Sequence, residues 1–158
     1  MRTPAARDDP APVRILIVDD NVDDVVMTRM ACRAWLSHEV HVARDGEEAL
    51  ELLLGSPGAD RPEPFRPDVI LLDLGLPRVN GIEVLRALRA NPGVSAVPVI
   101  VLSGSDREED IAVCQELGSN AYIQKPLNVP KFVRALEVLQ KFGLVSVTRL
   151  EGEGSHDG

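Results

Sequence analysis

Three apolar runs in this 158-residue chain end in side chains that could do chemistry, and a fourth is followed by one. Ile15-Leu16-Ile17-Val18 leads into Asp19-Asp20, Val69-Ile70-Leu71-Leu72 into Asp73, and Val99-Ile100-Val101-Leu102 into Ser103. The shorter run from Ala121 to Ile123 precedes Lys125-Pro126. Brought together, three carboxylates repel one another and raise their own pKa values. A divalent cation relieves that cost. Mg²⁺ is hard, prefers oxygen ligands and keeps several waters, so two direct carboxylates suit it. Asp20 and Asp73 read as the direct ligands and Asp19 as one acting through water. No His or Cys cluster favours zinc.

A carboxylate beside Mg²⁺ can attack phosphorus and form an aspartyl phosphate. The metal neutralises charge on the transferring oxygens. Lys125 offers a compact positive charge to a second phosphoryl oxygen. The Ser103 hydroxyl can bond a third once phosphorylation draws it inward, which pulls on its strand and the following helix. Taken singly, each residue has an ordinary explanation. Acidic residues after a strand cap helices, an Asp ending a strand is a common turn residue, and a Lys before Pro is a surface charge. Five such residues at the ends of the right segments, in order, outweigh those explanations.

The positioning elements can be read around them. The three four-residue apolar runs have no polar face, as expected of parallel strands covered on both sides. Pro98 stands where a strand tolerates proline, at its start. Glu39 to Ala43 alternates in polarity and reads as an edge strand, and Ala121 to Ile123 as a short fifth one. Helices fill the gaps. The first is expected to bury Val22, Val25, Val26 and Met30. The second opens at Asp45 with Glu48 in capping-box spacing and buries Ala49, Leu50, Leu53 and Leu54. The third opens at Asn80, with Glu83, and stops before Asn91-Pro92-Gly93. The fourth is expected to open at Ser105 with Glu108 in the same spacing. It turns Ile111, Cys114 and Leu117 inward and ends at Gly118. The fifth runs from about Pro130 to Phe142 on a stripe of Phe132, Leu136 and Leu139. Strands alternating with helices predict an α/β fold: a doubly wound, five-stranded parallel sheet, flavodoxin-like in order 2-1-3-4-5, with helices on both faces.

Composition limits the rest. Hydrophobic residues make up 44% of the chain, enough for a core. A formal net charge of −8 argues against a basic nucleic-acid-binding face. No stretch is long enough to span a membrane, and the N-terminus lacks the apolar segment of a secretory signal. A cytoplasmic location is expected, with Cys32 and Cys114 as buried reduced thiols. Residues 1–12 read as a mobile arm, 13–142 as the functional domain, and 143–158 as an apolar extension with a flexible tail. Gly55 to Pro67 reads as a long loop, Trp35 as packing, and neither His38 nor His41 as catalytic.

The segments ILIVDDN, VILLDLGLPRVNG, PVIVLSGS and AYIQKP resemble the four signature segments of response-regulator receiver domains, over about residues 13–142. The resemblance implies Asp73 as phosphoacceptor and Asp19 and Asp20 as the acidic pair for Mg²⁺. It also implies the Gly75 backbone carbonyl as the third protein ligand, Ser103 as switch hydroxyl, Lys125 as the partner of the phosphoryl group, followed by a cis bond to Pro126, and Tyr122 as an aromatic that turns inward as Ser103 moves. It implies a sensor histidine kinase as donor, and a signalling protein that assists its own phosphorylation and dephosphorylation rather than an enzyme. Asp23 after Asp-Asp-Asn, the long loop and the extension KFGLVSVTRL are similar to the stand-alone receivers that pair with bacterial phytochromes. Those dimerise through the face made by the fourth helix, fifth strand and fifth helix. Phe142-Gly143 departs from the Phe-Trp common there. No attached output domain is expected, so output is expected through protein contacts, with a homodimer through that face; the apolar Leu144, Val145, Val147 and Leu150 of the extension read equally as folding back on their own domain or as reaching the second subunit. The competing reading is a Mg²⁺-dependent phosphohydrolase with an Asp nucleophile. Such enzymes carry a second Asp two residues on, where this chain has Gly75.

Overall fold

The computed structural model describes residues 13–33, 38–55 and 64–141. The expected N-terminal arm, Trp35, Phe142 and the C-terminal extension lie outside them.

Five strands, β1 (Val13–Val18), β2 (His38–Ala43), β3 (Val69–Leu72), β4 (Val99–Ser103) and β5 (Ala121–Gln124), form one parallel sheet in the order β2-β1-β3-β4-β5. Between and after them run α1 (Val22–Cys32), α2 (Gly46–Leu54), α3 (Gly81–Ala90), α4 (Glu108–Glu116) and α5 (Val129–Lys141). The predicted order is the observed one, with β2 at an edge. Register aligns the strand ends: Val18 pairs with Ala43 on one side and Leu72 on the other, and Leu72 pairs with Val101. Whatever follows Val18 and Leu72 therefore emerges on one rim.

Each central strand is apolar throughout, yet its side chains alternate between two cores. Leu16, Val18, Ile70, Leu72, Val99 and Val101 pack with Ala49, Leu53, Val84, Leu85 and Leu88 from α2 and α3. Ile15, Ile17, Val69, Leu71, Ile100 and Leu102 pack with Ala31, Cys32, Phe132, Leu136 and Leu139 from α1 and α5. Two covered faces explain why a period of two is invisible in the hydropathy of these strands.

Three local expectations need correction. In α1, Val22, Val26 and Met30 are exposed, and the buried residues are Thr28, Ala31 and Cys32. Val25, partly buried, is common to both sets. The helix turns these small side chains inward and its larger ones outward. In α2, Asp45 caps the Glu48 N–H at 2.7 Å, but the Glu48 carboxylate accepts from the Arg44 N–H at 2.9 Å rather than closing a reciprocal box. Ala49 and Leu53 of its expected inner face are buried and Leu50 packs partly buried, but Leu54, the last residue before the Gly55 C-cap, is exposed. In α4 the helix begins at Glu108, after an Arg107 N-cap with no side-chain bond, and Leu117 is its C-cap. Ser105 serves a turn instead. Its hydroxyl accepts from the Arg107 N–H at 3.1 Å and donates to Asp110 at 2.6 Å. The α3 capping box, Asn80 with Glu83, is present as expected.

Candidate functional site

The C-terminal rim of the sheet collects the predicted residues. Asp19 follows β1 and is held by its own N–H to the Ala43 carbonyl at 3.0 Å. Asp73 follows β3, with its N–H on the Val18 carbonyl at 2.9 Å. Ser103 closes β4, and its carbonyl accepts the Lys125 N–H at 2.7 Å, which ties the β5–α5 loop to the same rim. The Lys125-Pro126 bond is cis, as the resemblance implies. Gly81 lets α3 start against the Asp73 backbone, where a Cβ would collide with the Asp73 carbonyl oxygen.

Asp19, Asp20 and Asp73 each offer a carboxylate oxygen within 4.8 Å of the others. Asp19 and Asp73 are buried and Asp20 is exposed. Among the described residues, the Asp73 carboxylate accepts the Gly75 N–H at 3.3 Å and stands 3.5 Å from the Lys125 ammonium. Burial pushes the Asp73 carboxyl above the usual carboxylate range, and Asp19 adds to this, while Lys125 and the Gly75 N–H oppose it. Under-compensated acids in this compact a group, with one open to solvent, fit a hard divalent cation. Their all-oxygen donor set does not fit a soft one.

Lys125 lies among the acids. Its Nζ donates to Asp19 and Asp24 at 2.8 Å each. Burial disfavours its charge, but the bonds to Asp19 and Asp24 and the field of Asp73 outweigh that, so the ammonium keeps its proton above the usual lysine range. Asp24 had no assigned role in the sequence reading, which marked Asp23 instead. Asp23 is exposed, whereas Asp24 faces the site. The available signal was position: the third residue of a helix that starts directly after the acidic pair stands over the same rim.

Beside Asp73 opens a cavity of about 380 Å³ lined by Gly75, Asn80, Ser103, Ser105 and Asp110 among others. A side chain at Gly75 would meet nothing within 4 Å, so the rim is open there. Ser103 is buried, and its hydroxyl accepts the Ser105 N–H at 3.1 Å. Tyr122 packs against the core on the α2–α3 side of the sheet and donates its hydroxyl to the Ser105 carbonyl at 2.9 Å. Ser103 and Tyr122 are thus joined through one residue. His41 pairs with Leu16 within the sheet rather than at this rim, and its ring lies 4.2 Å from that of Phe65. Cys32 and Cys114 are free and buried, and burial pushes the Cys32 thiol up to about 12.

The sequence profile of the response regulator receiver domain matches residues 15–137. Response regulator Rcp1 of Synechocystis sp. is 33% identical over 139 residues, covering 88% of this chain and 93% of that protein. A crystal structure of the Mn²⁺-bound form of response regulator Rcp1 superposes with a TM-score of 0.71, at 32% identity, over 89% of this chain and 100% of that one. The bacteriophytochrome response regulator RtBRR gives a TM-score of 0.72 at 42% identity, over 82% of this chain and 78% of that one. The phosphorylated cyanobacterial phytochrome response regulator RcpA gives 0.72 at 34% identity, over 89% of this chain and 100% of that one.

Proposed function

The chain belongs to the response-regulator receiver family, and on that premise we propose that it accepts a phosphoryl group on Asp73 from the phosphohistidine of a sensor histidine kinase, with Mg²⁺ as the cation. The observation that carries the reading is the convergence of Asp19, Asp20 and Asp73 within 4.8 Å at a rim that also holds Lys125. Asp19, Asp20 and Asp73 would hold the cation, with the Gly75 carbonyl as a further ligand. Once bound, the cation supplies charge neutralisation to the phosphoryl oxygens.

The chain's own residues do the rest. An Asp73 carboxylate oxygen attacks phosphorus, the P–N bond to the donor histidine breaks, and the imidazole leaves with the electron pair. The cavity beside Gly75 admits the donor. Lys125 bonds a phosphoryl oxygen in place of part of its present carboxylate shell. Ser103 bonds another, giving up the N–H of Ser105, and Ser105 passes the change to Tyr122 and the start of α4. An uncapped α4 N-terminus suits such movement.

The similarity to proteins titled as phytochrome response regulators supports a bacteriophytochrome as the kinase. It also supports a cytoplasmic protein; among the described residues no helix is long and apolar enough to cross a membrane. We assign the output to a homodimer through the α4-β5-α5 face. There Val129 and Val138 are exposed, and a cavity is lined by Tyr122, Lys131, Arg134 and Val138 among others. Incubation with ³²P-labelled kinase should label the wild type and leave Asp73→Asn unlabelled. Label retained on the variant would reject Asp73 as the acceptor. Sizing with and without beryllofluoride tests the output, and one monomeric mass in both states would remove the dimer.

A further inference from the structure

Asp24 sits in the first turn of α1, where an acidic residue needs no function, because carboxylates are favoured near a helix N-terminus. That accounts for its residue type but not for its direction. In a capping box the third helical residue turns its carboxylate back onto the N-cap N–H. Here the Asn21 N–H is already bonded to Asp19 Oδ1 at 3.0 Å. The Asp24 carboxylate, without that duty, reaches across to a loop 101 residues away and meets Lys125 Nζ at 2.8 Å.

An ammonium has three donors. Two are satisfied at 2.8 Å by Asp19 and Asp24, while Asp73 stands at 3.5 Å, beyond ordinary hydrogen-bond length. Asp24 is outside the group of acids whose oxygens converge as ligands. Its side chain is 36% exposed, against 3% for Asp19, so it can release the ammonium to water-borne competitors more readily than Asp19 can.

We propose that Asp24 is a positioning residue: its carboxylate draws the Lys125 ammonium toward α1 and off Asp73, keeping Asp73 open to the divalent cation. This rests on the metal-dependent reading above. Without Asp24 the ammonium, still bonded to Asp19 at 2.8 Å, turns its freed donor to Asp73 at 3.5 Å, the nearest acid it does not already bond, and competes there with the cation. A carboxylate that merely adds negative charge nearby would also aid cation binding, but would do so whether or not Lys125 is present.

Calorimetric titration with Mn²⁺ and Mg²⁺ separates the two, using wild type, Asp24→Asn, Lys125→Met and the double variant. Asp24→Asn should weaken binding about threefold or more in the wild-type background, and hardly at all in the Lys125→Met background, as expected of side chains coupled in one network. Asp24→Glu, which keeps charge and reach, should restore affinity to within about twofold. Equal weakening in both backgrounds would overturn the proposal and leave a through-space charge effect. No weakening in either would reduce Asp24 to a helix-end charge. If the wild type itself binds no divalent cation, the metal-dependent reading fails first, which the same titration registers separately.

Discussion

Removing Lys125 charges the rim without a counterion, and the size of the effect follows from who surrounds it. The Lys125 side chain is 16% exposed and its most buried partner, Asp19, is 3% exposed, with Asp73 at 11% and Asp24 at 36%. Truncating one partner of a buried pair costs about 3–5 kcal/mol, because the other charge stays buried and unpaired. Asp24 can turn to water and contributes little. Asp19 keeps its Asn21 N–H bond, which places Lys125→Met at the low end, about 3 kcal/mol. For a domain of this size that is a fall in Tm of about 10 °C. Methionine preserves the stem packing, so the loss reports charge. The assay is urea and thermal unfolding in chelator and again in millimolar Mg²⁺. The cation should recover more stability in the variant than it adds to the wild type, because it meets acids that no ammonium occupies. A loss below about 1 kcal/mol in chelator, or the same Mg²⁺ increment in both proteins, would refute the reasoning.

Other outcomes follow from the same geometry. Asp73 has its carboxyl pKa raised by burial, so its ionisation opposes folding; the stability is fully present below the ordinary value of 3.8 and is lost as pH rises through the folded pKa. Asp73→Asn should therefore be more stable than the wild type at pH 7 in chelator, with the gap closing toward pH 3.8, as read by urea titrations across that range. Asn80→Ala removes the cap that accepts the Glu83 N–H at 2.9 Å and should cost about 1 kcal/mol in equilibrium unfolding. Arg89 donates to the carbonyls of Leu117, Ser95, Val97 and Gly118 at 2.8–3.0 Å, joining the end of α3 to the ends of α4 and the loop before β4. Arg89→Met should cost about 3 kcal/mol, at roughly 0.5–1.5 kcal/mol per bond less what water restores.

Much of this was legible because the strands are short, apolar and each followed by a polar residue. Ile15 to Val18 could be only a doubly covered strand, and parallel register then carries Asp19, Asp73 and Ser103 to one rim. Helix rotation was less legible. Hydropathy favoured Val22, Val26 and Met30 as the inner face of α1, but packing distance decided for Thr28, Ala31 and Cys32, since small residues let the helix approach the sheet. The start of α4 was misjudged because Ser105-x-x-Glu108 is chemically a cap, and only the tertiary demands on Ser105, from Ser103, Asp110 and Tyr122, divert it to a turn. Asp24 was overlooked for a related reason. Its partner is 101 residues away, and only its place as the third residue of α1 distinguishes it from Asp23.

Asp73, and no neighbouring acid, is proposed as the residue that carries the phosphoryl group. Treating the phosphorylated protein with borohydride reduces an aspartyl phosphate to homoserine, and peptide mass spectrometry locates the change. Homoserine is expected at position 73 alone, dependent on prior phosphorylation. Homoserine at 19, 20 or 24, or phosphorylated protein with no reducible acyl phosphate, would contradict it.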